Sequence, residues 1–187
     1  MDSSSKVVYL TFDDGPIPEC TPEVLDILAK YGVKATFFMV AENAERYPDL
    51  LMRVRAEGHT IGNHTYHHMR GHQSCTKKYV ADALRGEGVL ATKLFRPPHG
   101  RMRFSQKKAL LAEGFSIYLW DVLTHDYNPR YSVEKMLSVV KRYTRNGSII
   151  IMHDSIKSRD RVLEALPLII DWLQQEGYRI EALDPSV

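Results

Sequence analysis

A chain of 187 residues has room for one domain with a substantial buried core. Its 44% hydrophobic and 26% charged residues are the make-up of a globular protein, and a net charge of +2 gives no footing for nucleic acid or an anionic membrane surface. No apolar run is long enough to span a bilayer, and no basic stripe with interleaved aromatics is present.

Residues 1–5 form a polar lead without the apolar core of a signal peptide, and residues 6–187 read as a single domain. A signal cleaved earlier would leave the same sequence, so the compartment stays open. Cys20 and Cys75 are isolated from one another, and both a disulfide and two free thiols fit them.

The first element is the run VVYLTFDDGP, in which a β-branched, apolar stretch climbs to Phe12 and meets two adjacent carboxylates, Asp13 and Asp14. Like charges side by side repel, and burial raises the cost of each. Two readings stand: an Asp-rich turn, since Asp-Gly and Gly-Pro punctuate loops, or a cation that offsets the repulsion. Next comes TPEVLDILAKYG, a helix with Thr21 as N-cap, Pro22 in the first turn, Val24, Ile27 and Leu28 on one face, and Gly32 as its stop.

Six further strands are expected at Val33–Val40, His59–Asn63, Leu94–Arg96, Ser116–Val122, Ser148–Met152 and Tyr178–Leu183. Helical periodicity fills the gaps at Tyr47–Ala56, Lys77–Ala91, Ser105–Ala112, Val133–Thr144 and Arg161–Gln175. Pro167 must kink the last of these or mark a restart. Gly58, Gly114, Gly147 and Gly177 each stand just before a strand, where a helix-terminating glycine belongs.

Such alternation argues for an α/β protein with a parallel sheet, either open and doubly wound or closed into a barrel. The polar residues favour the barrel, whose working groups collect at the C-terminal ends of the strands. Asp13 and Asp14 follow strand one, His64 and His68 strand three, and Arg96 ends strand four. Asp121 and Asp126 flank the end of strand five, and His153 with Asp154 ends strand six. Of these, Asp154 is placed to hydrogen-bond loop backbone and Asp121 to cap its turn.

In GNHTYHHMRGH, His64 and His68 stand four apart, which would put both on one face of a helical turn and lets two imidazoles converge on one ion. A carboxylate from elsewhere would complete a His₂Asp set with an open coordination position, the pattern of a catalytic site. His67 competes for a role, three residues from His64. It reads with His59, His72 and His125 as a surface or core histidine.

The motifs TFDDGP, HTYHH, RPPHG, HDY and IMH, in this order across nearly the whole chain, resemble those of the NodB-type polysaccharide deacetylases, carbohydrate esterase family four. The resemblance implies a distorted (β/α)7 barrel and one divalent metal ion on Asp14, His64 and His68. Zinc suits such ligands first, with cobalt, nickel and manganese open by ligand type. It also implies Asp13 as general base, His153 as general acid, Arg96 orienting the base and Asp126 tuning the acid. The backbone N–H of His99 is the implied oxyanion donor. The chain has His99 where the family usually has Tyr, Tyr127 where it has Trp, and Ile151 where it has Leu. Tyr127 and Ile151 would line the acetyl-methyl pocket, with plain core packing as the alternative.

The activity implied is removal of N-acetyl groups from amino-sugar polymers or oligomers, peptidoglycan or chitin-like N-acetylglucosamine, by a monomer. Such a substrate suggests the cell envelope or an exported enzyme. An O-acetyl esterase acting on acetylxylan and a non-catalytic carbohydrate-binding member are the alternatives. Short stretches at Pro16–Glu23 and Arg101–Phe104 point to an open groove suited to a polymer.

Overall fold

Strand β1, Lys6–Asp13, becomes progressively buried until its last four residues are enclosed on both faces, as a strand central to a parallel sheet must be. The computed structural model describes residues 6–184. The polar lead expected over residues 1–5 lies outside them, as do residues 185–187.

Around β1 stand β2 (Thr36–Met39), β3 (Thr60–Asn63), β4 (Leu94–Phe95), β5 (Ser116–Ile117), β6 (Val122–Leu123), β7 (Ile149–His153) and β8 (Tyr178–Glu181). Every ladder is parallel, and the strand order is β5-β4-β3-β2-β1-β7-β6, with β8 pairing the first half of β1. The sheet is curled into the distorted barrel of α/β class, wrapped by α1 (Thr21–Tyr31), α2 (Ala41–Arg46), α3 (Pro48–Ala56), α4 (Thr76–Leu90), α5 (Phe104–Ala112), α6 (Val133–Tyr143) and α7 (Arg159–Gln175).

The main core lies between helices and sheet, where Val24, Leu25 and Leu28 of α1 and Leu166, Ile169 and Ile170 of α7 are fully buried with Val8, Leu10 and Phe12. On the other side Phe38, Leu94 and Leu183 form a smaller cluster. The guanidinium of Arg96 lies 3.9 Å over the Phe38 ring.

Several boundaries differ from the sequence-based ones, each for a physical reason. Ser116–Val122 is not one strand. Its first two residues pair with β4, whereas Val122 at its end opens β6, which pairs with β7 at the opposite end of the strand order. The residues between cross from one to the other, and the carbonyls of Tyr118 and Leu119 accept from Arg96 instead of a neighbouring strand. Thr21 is not the N-cap. Cys20 is, and the Thr21 hydroxyl accepts from Ile17 N while donating to Asp154. Helix α2 has no counterpart in the sequence reading, its six residues being too few to show periodicity. Helix α7 passes through Pro167 without a restart. Gly58, Gly114, Gly147 and Gly177 take φ of 78°, 82°, 85° and 79°, the left-handed conformation that suits glycine. Both cysteines are free thiols, Cys20 buried and Cys75 exposed.

Candidate active site

The parallel register brings the C-terminal ends of the strands level. Asp13 pairs in register with Phe38 of β2 and with His153 of β7, and Asn63 pairs with Phe95 of β4. The residues just beyond, His64 and Arg96, therefore emerge on the same rim as the acid pair.

Asp13 is buried beside the fully buried Arg96, whose Nη1 donates to Asp13 Oδ1 over 2.7 Å. The same guanidinium donates to Thr11 Oγ1 at 2.8 Å and to the Leu119 carbonyl at 2.8 Å. A planar fork with several acceptors has little freedom left, so Asp13 is held by one oxygen. Its other oxygen, Oδ2, faces His64 Nε2 at 3.7 Å.

Asp14 adopts φ 85°, a left-handed conformation uncommon for a residue other than glycine. Asp14 Oδ1 stands 3.2 Å from His68 Nε2 and 3.8 Å from His64 Nε2. Candidate ligand atoms of Asp14, His64 and His68 all lie within 4.8 Å of one another. The expected helical turn is absent: residues 64–70 form a loop in which Thr65 and His68 take φ of 65° and 53°. The two imidazoles converge because the loop doubles back, not because of a 3.6-residue period.

Donor chemistry fits a divalent cation. His64 Nδ1 lies 2.8 Å from the Arg96 carbonyl, which can only accept, so the proton sits on Nδ1 and the Nε2 lone pair points into the site. Burial pushes His64 down to about 4, against the carboxylates of Asp13 and Asp14, so the ring is neutral at pH 7. Burial also disfavours the Asp14 charge. The hydrogen bond to His68 and the charges of His64, His153 and His68 outweigh it and hold the carboxyl below the usual range.

Opposite stands His153. Its Nδ1 lies 2.8 Å from Asp126 Oδ1, and its backbone N–H donates to Asp126 Oδ2 at 2.6 Å. Burial alone would lower this imidazole, but the hydrogen bond and charge of Asp126, with the charges of Asp13 and Asp14, push it up to about 9. Asp154 is buried under the acid turn, accepting from Gly15 N at 3.1 Å and Thr21 Oγ1 at 2.6 Å, as its place in the sequence suggested. Asp121 is elsewhere. Its Oδ2 accepts from Ile149 N at the start of β7, the far end from His153.

The comparisons with known proteins agree with this fold. A model of the polysaccharide deacetylase family matches residues 1–117. The chain belongs to that family. A peptidoglycan-N-acetylglucosamine deacetylase of Bacillus cereus is 36% identical over 186 residues, covering 95% of this chain and 86% of the relative. A chitooligosaccharide deacetylase of Bradyrhizobium is 34% identical over 200 residues, covering 97% and 90%. The crystal structure of a peptidoglycan N-acetylglucosamine deacetylase in complex with 4-naphthalen-1-yl-N-oxidanyl-benzamide superposes with a TM-score of 0.91 at 36% identity, over 96% of this chain and 87% of that one. Membership makes the chain a hydrolase of carbon–nitrogen bonds other than peptide bonds, an enzyme and not a bare carbohydrate-binding module.

In this polysaccharide deacetylase the site opens into a cavity of about 630 Å³, lined on one side by Asp13, Asp14, His64 and His68 and on the other by His153 and Tyr127. His99, with φ 60°, sits at its edge, its ring 4.9 Å from that of His68 and its Nε2 accepting from Arg70 Nε at 3.1 Å. Tyr127 stands edge-on to His153, with ring centroids 5.3 Å apart. Ile151, Leu123 and Trp120 supply apolar wall. His59, His67, His72 and His125 are absent from the lining of this cavity.

Two contributors escaped the sequence reading. Asp82, buried on α4, accepts from the backbone N–H of Tyr66 and of His67, both at 3.0 Å, and pairs with His67 Nδ1. It thereby pins the loop between the two candidate ligands. Its signal was a carboxylate on the stripe Tyr79, Asp82, Ala83, Gly86, Leu90, otherwise a buried helix face. Trp120 packs on Gly100, where a Cβ would come within 2.4 Å of the indole. Only the crossing of residues 118–121 between sheet ends brings it there.

Proposed function

We propose that this chain is a metal-dependent N-deacetylase of N-acetylglucosamine-containing glycans, peptidoglycan strands or chitin-like oligomers. The observation that carries the reading is a carboxylate and an imidazole on one cavity, each held by a buried partner. The carboxylate of Asp13 is held by a buried guanidinium, and the imidazole of His153 is held by a buried carboxylate. Between them stand one carboxylate and two imidazoles suited to a cation.

A divalent ion on Asp14, His64 and His68, zinc first by ligand type, would polarise the acetyl carbonyl and lower the pKa of water towards about 7. Asp13 Oδ1 is committed to Arg96, so Oδ2 takes the proton from the water that attacks the acetyl carbon. The backbone N–H of His99 donates to the resulting oxyanion. His153 carries its mobile proton on Nε2, because Nδ1–H is engaged by Asp126, and hands it to the amide nitrogen as the carbon–nitrogen bond breaks. Acetate and a free amine leave, and the proton taken by Asp13 restores His153. Tyr127, Ile151 and Leu123 shape the space for the acetyl methyl.

The test is acetate release from N-acetylated chitooligosaccharides, peptidoglycan and acetylxylan at saturating zinc. Release from an N-acetylated glycan supports the reading. Release from acetylxylan alone overturns it in favour of an ester-specific enzyme.

A further inference from the structure

A second cavity of about 320 Å³ adjoins the first, and His99 and Arg101 line both. Arg70, Gly71, His72, Gln73 and Pro98 complete its walls, and among the described residues no carboxylate lines it. The ion pairs that arginines make with carboxylates among the described residues involve Arg53, Arg96, Arg159 and Arg179, so Arg70 and Arg101, which line this groove, are in direct contact with no carboxylate there.

Two backbone segments clamped together build the groove. Gly71 approaches the segment before α5 so closely that a Cβ there would stand 2.8 Å from Met102 Cα and 2.9 Å from the Arg101 carbonyl. Gln106 Nε2 donates to the carbonyls of Gly71 at 2.8 Å and Ser74 at 3.1 Å, and Arg103 Nη2 donates to that of His72 at 2.9 Å. Arg70 is further oriented by its bond to His99. Both cations therefore stand on fixed backbone beside the mouth of the active site.

We propose that this groove binds a carboxylate carried by the sugar next to the one being deacetylated, so that the enzyme selects anionic glycan strands over neutral oligomers. The inference rests on the deacetylase reading and narrows its substrate. Peptidoglycan carries carboxylates on alternate sugars, on the stem peptide or, where that peptide is absent, on the free lactyl group, whereas a chitin-like oligomer is neutral. Guanidinium forks match carboxylates in shape and charge, and attraction at such an open site weakens with salt.

The experiment is calorimetric titration of zinc-loaded Asp13→Asn protein, which leaves substrate intact, with three tetrasaccharides. These are N-acetylated chitotetraose, an alternating N-acetylglucosamine–N-acetylmuramic acid tetrasaccharide with free lactyl carboxylates, and its stem-peptide form. At least one carboxylate-bearing ligand is expected to bind about tenfold more tightly than chitotetraose at low salt. Whichever does so identifies the carboxylate that is read. The preference disappears in Arg70→Gln/Arg101→Gln and persists in Arg70→Lys/Arg101→Lys. Equal affinity for all three ligands, a preference that survives the glutamine pair, or one lost equally in the lysine pair overturns the inference. Acetate release from chitotetraose by the unmutated enzyme is read separately, so a failed deacetylase reading appears there and a failed anion site only in the titration.

Discussion

Arg96 and Asp13 meet at 2.7 Å with both side chains almost wholly out of water, one from the end of β4 and the other from the end of β1. Neither group would be tolerable there with this hydrogen bond lost, which an amide oxygen at position 13 would still accept. Arg96→Leu strands a buried carboxylate and is expected to cost about 3–5 kcal/mol, measured by urea unfolding. Adding Asp13→Leu should recover a large part of that loss, because the orphaned charge goes with it. A single-variant cost below about 1 kcal/mol would show that the pair does not hold this rim together.

On the proposed mechanism, His153 and Asp126 are expected to set the alkaline limb of activity. With the imidazole at about 9, acetate release should persist to about pH 9 and fall above it as the acid loses its proton. In Asp126→Asn burial is no longer opposed by that carboxylate, and the limb should move down by more than one pH unit. The linkage sign is that of a raised base: the protonated ring adds stability fully present below about 6.5 and lost as pH rises through about 9. A pH–rate profile that Asp126→Asn leaves in place would remove Asp126 from its role.

Asp82 should tune metal affinity from a distance. Asp82→Ala frees two backbone amides and the His67 ring, so the loop bearing His68 loosens. Zinc titration of metal-free protein is expected to show affinity lower by about ten- to a hundredfold. Unchanged affinity would mean that the loop is held by other contacts.

The turn after Asp14 is tightly enclosed by Asp154. A Cβ on Gly15 would lie 2.0 Å from Asp154 Oδ2, so Gly15→Ala must displace either the turn or the carboxyl. A loss of about 1–3 kcal/mol in stability together with weaker zinc binding is expected. Burial, against the hydrogen bonds from Thr21 and Gly15, pushes Asp154 up to about 7. The folded protein thus keeps a proton that the unfolded chain releases near 3.8, and stability should decline between about pH 4 and 7 on this account. Asp154→Asn, which cannot ionise, should flatten that slope in thermal scans.

The polar rim of the candidate site was legible because it lies at strand ends. An apolar run broken by Asp13 and Asp14, or by His153 after Ile149–Met152, marks both the strand and where it stops. What reaches across the barrel was not legible. The His64–His68 spacing suggested a helical turn, whereas left-handed residues at Thr65 and His68 make the approach, and no residue type announces that conformation as glycine does. The run Ser116–Val122 looked like one strand because periodicity cannot report that Arg96 takes the carbonyls in its middle. Thr21 looked like an N-cap because its partner, Asp154, is 133 residues away. Local pattern names an element's type. Long-range hydrogen bonds decide where it ends.

The most direct measurement is acetate release by Asp13→Asn at saturating zinc, with zinc affinity measured on the same protein. A change of one atom leaves Asp14, His64 and His68 in place, so zinc binding should remain while release falls by more than about a hundredfold. Release at the unmutated rate by protein with zinc bound would contradict Asp13 as the base that takes the proton of the attacking water.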